Sequence, residues 1–329
     1  MLEGDARSLL NKRVLIAGGA GFIGRHLSEA ALVGGAQIVV LDDFSTGSRS
    51  MFDCFAENGQ VTILEADIAK SLPELQRCDI VLNLASPASP LVYQSDPLGT
   101  WRTNVYGTDN LSSLALAWDA VFVQASTSEV YGDPAIHPQP ETYWGNTNPV
   151  GTRSCYDEGK RAAETLTMDL VRRHGLNGRI ARIFNTYGPG MNIDDGRLLP
   201  NLISQALNGK SLTLYGDGSQ TRSLCYVDDL VAGLILMATV DAAHGEVINL
   251  GNPHELTVLE IAQLVAHLLA HDGHIVHGPL PLDDPIRRCP DVGKAQRLLG
   301  WTPTTRLNEG LVLMANDFSG RAVVQDLTA

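Results

Sequence analysis

The stretch Val14-Leu-Ile-Ala-Gly-Gly-Ala-Gly-Phe-Ile-Gly24 decides the fold of this chain. Its first four residues are apolar and stop at glycines, which is typical of a buried parallel strand. The glycines fit both G-x-G-x-x-G and G-x-x-G-x-x-G; they are Gly18, Gly19, Gly21 and Gly24. Such a turn lets a pyrophosphate approach the backbone, and free N–H groups of the next helix bind its charge. We predict a dinucleotide site, the alternative being a glycine-rich turn that binds nothing.

Short apolar runs alternate with helical segments along the first half of the chain. Further strands are predicted at Gln37–Leu41, Val61–Leu64, Ile80–Leu84, Val121–Ala125 and Arg179–Phe184. Long helices are predicted near Pro97–Ala117 and at Ser154–His174. This alternation implies right-handed crossovers between parallel strands. We therefore predict an α/β fold with a Rossmann-like, doubly wound parallel sheet.

The second half of the chain differs in composition, and its segment from Tyr187 to Gly196 is rich in turn residues. A short strand, Leu212–Tyr215, and helices at Val227–Met237 and Val258–Leu269 are predicted there. We predict an NAD-binding domain over residues 11–184, with return segments near 224–250. Residues 185–329 are expected to form mainly a smaller, loop-rich C-terminal substrate lobe.

Composition excludes several classes of protein. The 329 residues are 44% hydrophobic and 19% charged, so the chain can bury a large core and is not disordered. Twenty-four basic residues against 37 acidic ones give a net charge of −13, which argues against binding nucleic acid or an anionic membrane. The N-terminus lacks a signal-peptide pattern, and no apolar run reaches the roughly 18 residues of a membrane span. We expect a soluble, cytoplasmic protein.

Cysteine and histidine spacing predicts neither a disulfide framework nor a metal site. The five cysteines form no C-x-x-C pair or Cys/His cluster; they are Cys54, Cys78, Cys155, Cys225 and Cys289. His271, His274 and His277 lie among glycines without a nearby carboxylate pair. We therefore expect no metal.

Asp42 indicates which dinucleotide the predicted site binds. It ends the second predicted strand 18 residues after Gly24, where a carboxylate can accept both hydroxyls of an adenosine ribose and repels a 2′-phosphate. Arg49 is too distant to accommodate such a phosphate, so NAD is favoured over NADP. Asp67 and Ile68, after the third strand, are placed to meet the adenine edge, although both could be ordinary strand-end residues.

Tyr156 and Lys160 form Y-x-x-x-K at the start of the second long helix, on one helical face. A phenol has a pKa of about 10, and we expect the neighbouring ammonium to lower it, so that Tyr156 can act as a base. Ser126-Thr-Ser-Glu129 follows a strand at the carboxyl edge of the sheet. A hydroxyl there can complete the Tyr/Lys set, or the serines can simply cap a turn.

These residues carry a resemblance to a known family. The chain resembles the nucleotide-sugar branch of the extended short-chain dehydrogenase/reductases, and within it the UDP-glucuronate decarboxylases, from about Lys12 to Leu311. The matching stretches are Leu84–Pro90, Ala125–Pro134, Ser154–Arg161, Ala181–Pro189, Tyr215–Arg222, and Asp283–Pro285 with Arg288 and Pro290-Asp291.

The resemblance implies a full set of site residues. The catalytic ones are Thr127, Glu129, Tyr156, Lys160 and Arg222. NAD is expected to contact Gly18, Gly21, Phe22, Ile23, Asp42, Asp43, Ser45, Thr46, Gly47, Asp67, Ile68, Leu84, Ser86, Thr103, Ala125, Tyr156, Lys160 and Arg197. The UDP-sugar is expected to contact Pro87, Glu129, Asn185, Tyr215, Arg222 and Arg288. A homodimer is also implied, through a four-helix bundle of the two long helices and their copies.

The implied activity is NAD-dependent decarboxylation of UDP-glucuronate, by C4 oxidation to a β-keto acid, giving UDP-xylose. Asn83, Gly190 and Arg102 depart from the usual His, Arg and Lys of the family. Since Gly190 makes its turn more flexible, we expect some release of UDP-4-keto-xylose. The alternatives are a 4-epimerase, a non-catalytic NAD-binding sensor, or a 4,6-dehydratase, whose Thr-Asp-Glu pattern is Thr127-Ser-Glu129 here.

Overall fold

A computed structural model describes residues 6–52, 59–280 and 287–328 of the chain. Its strands are β1 (Arg13–Ala17), β2 (Gln37–Asp42), β3 (Val61–Glu65), β4 (Ile80–Asn83), β5 (Val121–Thr127), β6 (Gly178–Ile183), β7 (Thr186–Tyr187), β8 (Leu212–Tyr215), β9 (Thr221–Ser223), β10 (Cys225–Tyr226), β11 (Val247–Leu250), β12 (Glu255–Thr257) and β13 (Ile275–Gly278). Its helices are α1 (Phe22–Val33), α2 (Pro90–Ser95), α3 (Pro97–Trp118), α4 (Ser154–His174), α5 (Leu198–Leu207), α6 (Val227–Thr239), α7 (Val258–Leu268), α8 (Gly293–Leu299) and α9 (Leu307–Thr328).

Seven strands form one parallel sheet in the order β11-β6-β5-β4-β1-β2-β3. The direction of winding reverses between β1 and β4. Ligands of such sheets bind in the crevice at the carboxyl ends of the strands beside this reversal. The predicted Rossmann-like, doubly wound sheet is therefore confirmed.

Side chains of the central strands alternate between two apolar cores. Val14 and Ile16 of β1 pack into the core that contains α1 and α6, whereas Leu15 and Ala17 pack into the core that contains α3. Because both faces are covered, these strands are almost wholly apolar, which explains why the sequence revealed them. The first core continues into the C-terminal half, where Leu202 of α5 and the buried Trp301 belong to it.

The predicted elements agree with the structure except at a few places. The helix predicted at Ser154–His174 and the strand at Leu212–Tyr215 have the predicted bounds. β5 is longer than predicted, so Ser126 and Thr127 lie in the strand and residues 128–131 form a 3-10 turn. Ten of the described helices and strands were not predicted: helices α2, α5, α8 and α9, the edge strand β11, and the short strands β7, β9, β10, β12 and β13. Cys54 and the Asp283–Pro285 motif lie outside the described residues.

Among the residues that the structure describes, no helix is both long enough and apolar enough to cross a bilayer.

Candidate active site

The glycine-rich turn joins β1 to α1 beside the end of β4. Gly18 has φ +75°, and a Cβ there would lie 2.7 Å from the backbone of Ala85. A Cβ on Gly24 would lie 2.1 Å from the carbonyl oxygen of Gly18, so the helix can approach the strand only with glycine there. No side chain caps α1, which begins with Phe22 and Ile23. Its first-turn N–H groups therefore remain available to a pyrophosphate.

Asp42 at the end of β2 is fixed beside this turn. Its carboxylate accepts N–H groups of Ala20 and Phe44, each at 2.9 Å, and its side chain is buried. Burial raises the pKa of Asp42, although these hydrogen bonds oppose the rise. Each carboxylate oxygen keeps a further lone pair, which suits the two hydroxyls of a ribose. The residues present fit the adenosine diphosphate half of NAD.

The other residues predicted to contact NAD surround the same crevice. Asp43 accepts the Ser45 hydroxyl at 2.6 Å, and the loop that continues through Thr46 brings Gly47 against Ala20 of the glycine-rich turn. Asp67 accepts the Ala69 N–H, and Ile68 packs on Gly107. The backbone N–H of Leu84 donates to the Ala17 carbonyl oxygen, and the Ser86 hydroxyl donates to the Pro87 carbonyl oxygen. Thr103 lies half-buried in α3, and Arg197 pairs with Asp195. Their contacts to NAD stay predictions.

Thr127, Tyr156 and Lys160 converge, as the sequence predicted. Tyr156 and Lys160 are buried on one face of α4, and Thr127, the last residue of β5, is hydrogen-bonded to the Tyr156 phenol. The Lys160 Nζ donates to the carbonyl oxygen of Ala125 at 3.0 Å and lies 5.9 Å from the centre of the Tyr156 ring. Helix α4 and strand β5 thus bring one phenol, one amine and one hydroxyl together.

The expectation that Lys160 lowers the pKa of Tyr156 is wrong for this arrangement. Burial raises the pKa of Tyr156 to about 12, against the opposing effects of the Thr127 hydrogen bond and of Arg197. Burial also lowers the pKa of Lys160 to about 7, so its ammonium form is itself disfavoured. Desolvation therefore outweighs the attraction between phenolate and ammonium that the sequence argument assumed.

Glu129 is held between two arginines. Both of its carboxylate oxygens accept from Arg288, at 2.6 and 2.9 Å, and Oε2 also accepts from Arg153 at 2.5 Å. Burial alone would raise the pKa of Glu129, but Arg288 and Arg153 hold it at about 2. Arg288, expected to contact the UDP portion, thus lies at the predicted reacting centre. Arg153 was missed, and its only signal in the sequence is its position three residues before Tyr156.

Two further residues beside the base were not predicted. The Tyr93 ring stacks on Tyr156, with centroids 5.2 Å apart and planes 6° from parallel. Asp157 follows Tyr156 in α4, and burial together with nearby Glu129 raises its pKa to about 7. Among the described residues, the Tyr93 hydroxyl and Asp157 Oδ1 have no hydrogen-bond partner. Such buried, unpaired polar atoms beside a base are typical of a functional cleft.

The other residues predicted to bind substrate lie in the C-terminal half or at its border. Asn185 lies between β6 and β7, where its carbonyl oxygen accepts the Cys225 N–H at 2.9 Å. Tyr215 ends β8 and is 44% exposed. Arg222 on β9 lines a cavity of about 520 Å³, together with Asn252, His254 and Arg306. Their contacts to a UDP-sugar stay predictions.

This fold and site define a class of nucleotide-dependent enzymes, and comparison with known proteins agrees. A sequence profile described as the NAD dependent epimerase/dehydratase family matches residues 14–251. The chain belongs to this family.

Within the family, the chain is similar to decarboxylases. It is 50% identical to UDP-glucuronic acid decarboxylase 3 of Arabidopsis thaliana, over 94% of this chain and 89% of the relative. It is 47% identical to UDP-glucuronic acid decarboxylase 1 of Danio rerio, over 91% of this chain and 71% of the relative.

Solved structures share the fold. A UDP-glucose 4-epimerase of Thermotoga maritima, with UDP-glucose, has a TM-score of 0.86 and 26% identity, covering 94% of this chain and 99% of its own. The dTDP-glucose 4,6-dehydratase DesIV of Streptomyces venezuelae, with NAD bound, has a TM-score of 0.84 and 27% identity, covering 94% and 97%.

Proposed function

We propose that this protein is an NAD-dependent decarboxylase of UDP-glucuronate. The observation that carries the proposal is the buried group of Glu129, Arg153 and Arg288 beside Tyr156, because two arginines suit an anionic sugar acid. The similarity to proteins named UDP-glucuronic acid decarboxylase supports the same substrate. The main product is UDP-xylose, with a share of UDP-4-keto-xylose released.

The glycine-rich turn and Asp42 would hold the adenosine diphosphate half of NAD. When bound, NAD supplies a hydride acceptor for the C4 carbon of the sugar and later a hydride donor. The chain's own residues then have three tasks, which are to remove the C4 hydroxyl proton, to orient the C6 carboxylate, and to return a proton to C5.

Tyr156 removes the C4 hydroxyl proton in this proposal. Tyr156 can accept this proton only as a phenolate, and with a pKa of about 12 the phenolate is a minor form at neutral pH in the absence of ligands. We propose that the positive charge of bound NAD⁺ would lower this pKa, because an opposite charge favours the phenolate. The phenolate then accepts the proton of the C4 hydroxyl, and Thr127 keeps its hydrogen bond to Tyr156 Oη.

Arg288 and Arg153 orient the C6 carboxylate. A ketone at C4 makes that carboxylate part of a β-keto acid, so no further base is needed for CO₂ to leave. Glu129 cannot give a proton while both arginines keep its pKa at about 2. We propose that the substrate carboxylate draws one arginine away, which raises the pKa of Glu129 so that it takes up a proton from solvent and then delivers that proton to C5.

A homodimer is the assembly that we propose. Helix α3 leaves Leu98, Trp101 and Tyr106 exposed by 67%, 37% and 50%, and such an apolar face favours packing against a second copy. The dimer would be a four-helix bundle of α3, α4 and their copies. Trp101→Glu should convert a sedimenting dimer into monomer; a wild type that is monomeric at micromolar concentration would contradict the proposal.

The compartment that we propose is the cytoplasm. The four described cysteines, at 78, 155, 225 and 289, are free thiols, as is usual for proteins of reducing compartments.

The function is tested with purified protein, NAD and a set of nucleotide sugars. UDP-glucuronate should yield CO₂ and UDP-pentoses, whereas UDP-glucose should yield no product, because it has no carboxylate. Formation of UDP-galacturonate without CO₂ would identify a 4-epimerase. Turnover of UDP-glucose to a 4-keto-6-deoxy sugar would identify a dehydratase, and no turnover of any sugar would favour a binding protein.

A further inference from the structure

A group of potential metal ligands lies where the loop after β5 meets the C-terminal half. It consists of His137, Glu255 at the start of β12, and Cys289, which directly follows Arg288. One ligand atom from each residue lies within 4.8 Å of the other two. The imidazole Nε2 of His137 and Oε2 of Glu255 are 2.9 Å apart. We propose that these three side chains form a divalent metal site, distinct from the catalytic group.

The ligand types select the metal. A thiolate, an imidazole and a carboxylate together match zinc, which is borderline soft and binds S, N and O ligands at about 2.0–2.3 Å. A tetrahedron with such bonds has edges of about 3.3–3.7 Å. The three ligand atoms therefore need to move by only about 1 Å to surround the ion.

The surroundings of the ligands are ordered by hydrogen bonds. The side-chain oxygen of buried Gln139 accepts the backbone N–H of Cys289 at 2.8 Å. The backbone N–H of Gln139 donates to the carbonyl oxygen of Cys289 at 2.9 Å. The Thr221 hydroxyl donates to Oε1 of Glu255, which leaves Oε2 toward His137. Partners of this kind orient ligands and commonly contribute 10–100-fold to metal affinity.

The site is partly open. Cys289 is 3% exposed, whereas the side chains of His137 and Glu255 are 28% and 23% exposed. An ion would thus have three protein ligands and one position open to water, as in catalytic zinc sites. Binding would release the thiol proton of Cys289 to solvent, and it would replace the hydrogen bonds of Cys289 to the Pro253 carbonyl oxygen and of His137 to Glu255. Because Cys289 follows Arg288, the ion would also restrain the segment that presents Arg288 to Glu129.

Cobalt titration of the chelator-treated full chain tests the proposal. Wild type should develop thiolate-to-cobalt absorption that saturates at one Co²⁺ per chain and disappears on adding Zn²⁺. Cys289→Ser should lose this absorption, whereas Cys78→Ser, which removes another buried thiol, should keep it. His137→Gln retains the thiol and changes only a partly exposed side chain, and it should weaken cobalt binding by at least the roughly 10–100-fold that loss of an outer-shell partner costs, because it removes a direct ligand.

Absence of thiolate absorption in wild type would overturn the proposal. The same conclusion would follow if the absorption survived in Cys289→Ser, or if His137→Gln bound cobalt as tightly as wild type. Because the readout is spectroscopic, none of these results depends on the decarboxylase activity.

Discussion

Removing the Arg288 guanidinium should destabilise the protein, because the Glu129 carboxylate would stay buried with one partner fewer. Arg288 contacts both carboxylate oxygens, and its side chain is 7% exposed. Removing one partner of a buried ion pair costs about 3–5 kcal/mol. Since Arg153 remains 2.5 Å from Glu129, we expect the lower end, about 3 kcal/mol, for Arg288→Met.

The assay is equilibrium unfolding in urea, followed by tryptophan fluorescence and circular dichroism, whose transitions must coincide. The control is Arg172→Met, which removes an ion pair of 2.5 Å to Asp169 whose side chains are 59% and 53% exposed. An exposed pair contributes about 1 kcal/mol or less. Adding Glu129→Gln to Arg288→Met should lower stability further, because the buried Arg153 guanidinium then loses its Glu129 partner.

The stabilisation that the ionised Glu129 provides depends on pH, and the direction follows from its pKa. The pKa of Glu129 is lowered from 4.5 to about 2, so the stabilisation is present above about pH 4.5 and is lost as the pH falls toward 2. In Arg288→Met the folded-state pKa of Glu129 is less depressed, so the loss on acidification should be smaller and should be complete at a higher pH. The reasoning is refuted if Arg288→Met is no less stable than Arg172→Met, or if Glu129→Gln in the Arg288→Met background causes no further loss.

Four other predictions concern cofactor, base, amine and product. Asp42 should make NAD bind far more tightly than NADP, and equal binding by calorimetry would contradict its role. Tyr156→Phe should slow CO₂ release by about 10²–10⁴-fold without weakening UDP-sugar binding; a rate near wild type would mean that another group takes the proton. Because burial lowers the pKa of Lys160 from 10.5 to about 7, the folded state binds fewer protons than the unfolded one between these values, so stability rises with pH there. Lys160→Met should reduce this increase of stability, measured as the difference between the melting temperatures at pH 7 and pH 9. The same difference in Lys160→Met and wild type would contradict the lowered pKa of Lys160. Gly190→Arg should shift products from UDP-4-keto-xylose toward UDP-xylose, while costing about 1–2 kcal/mol because φ is +81°. Exclusive formation of UDP-xylose by wild type would show that Gly190 causes no leak.

Local patterns in the sequence were enough to predict six of the seven strands of the sheet and the residues that the glycine-rich turn and α4 place beside it. The glycine-rich turn, Asp42 at a strand end, and Tyr156 with Lys160 on one helical face each depend on neighbours in the chain. The same holds for α4, whose bounds follow from its own residues.

Contacts between distant segments could not be predicted from the sequence. Arg288 and Glu129 are 159 residues apart, and nothing near either one indicates the other. The pKa of Tyr156 was misjudged because it depends on burial by the whole fold, including the Tyr93 ring stacked on it. The group of His137, Glu255 and Cys289 comes from three segments, so no close spacing of ligands along the chain indicates it.

Product analysis in D₂O tests the central claim most directly, because the proposed chemistry breaks one C–C bond and forms one C–H bond at C5. With NAD and UDP-glucuronate, the account predicts one CO₂ for each nucleotide sugar consumed, and UDP-xylose that carries one deuterium at C5 by mass spectrometry. A product that retains the carboxylate, or UDP-xylose without deuterium at C5, would contradict it.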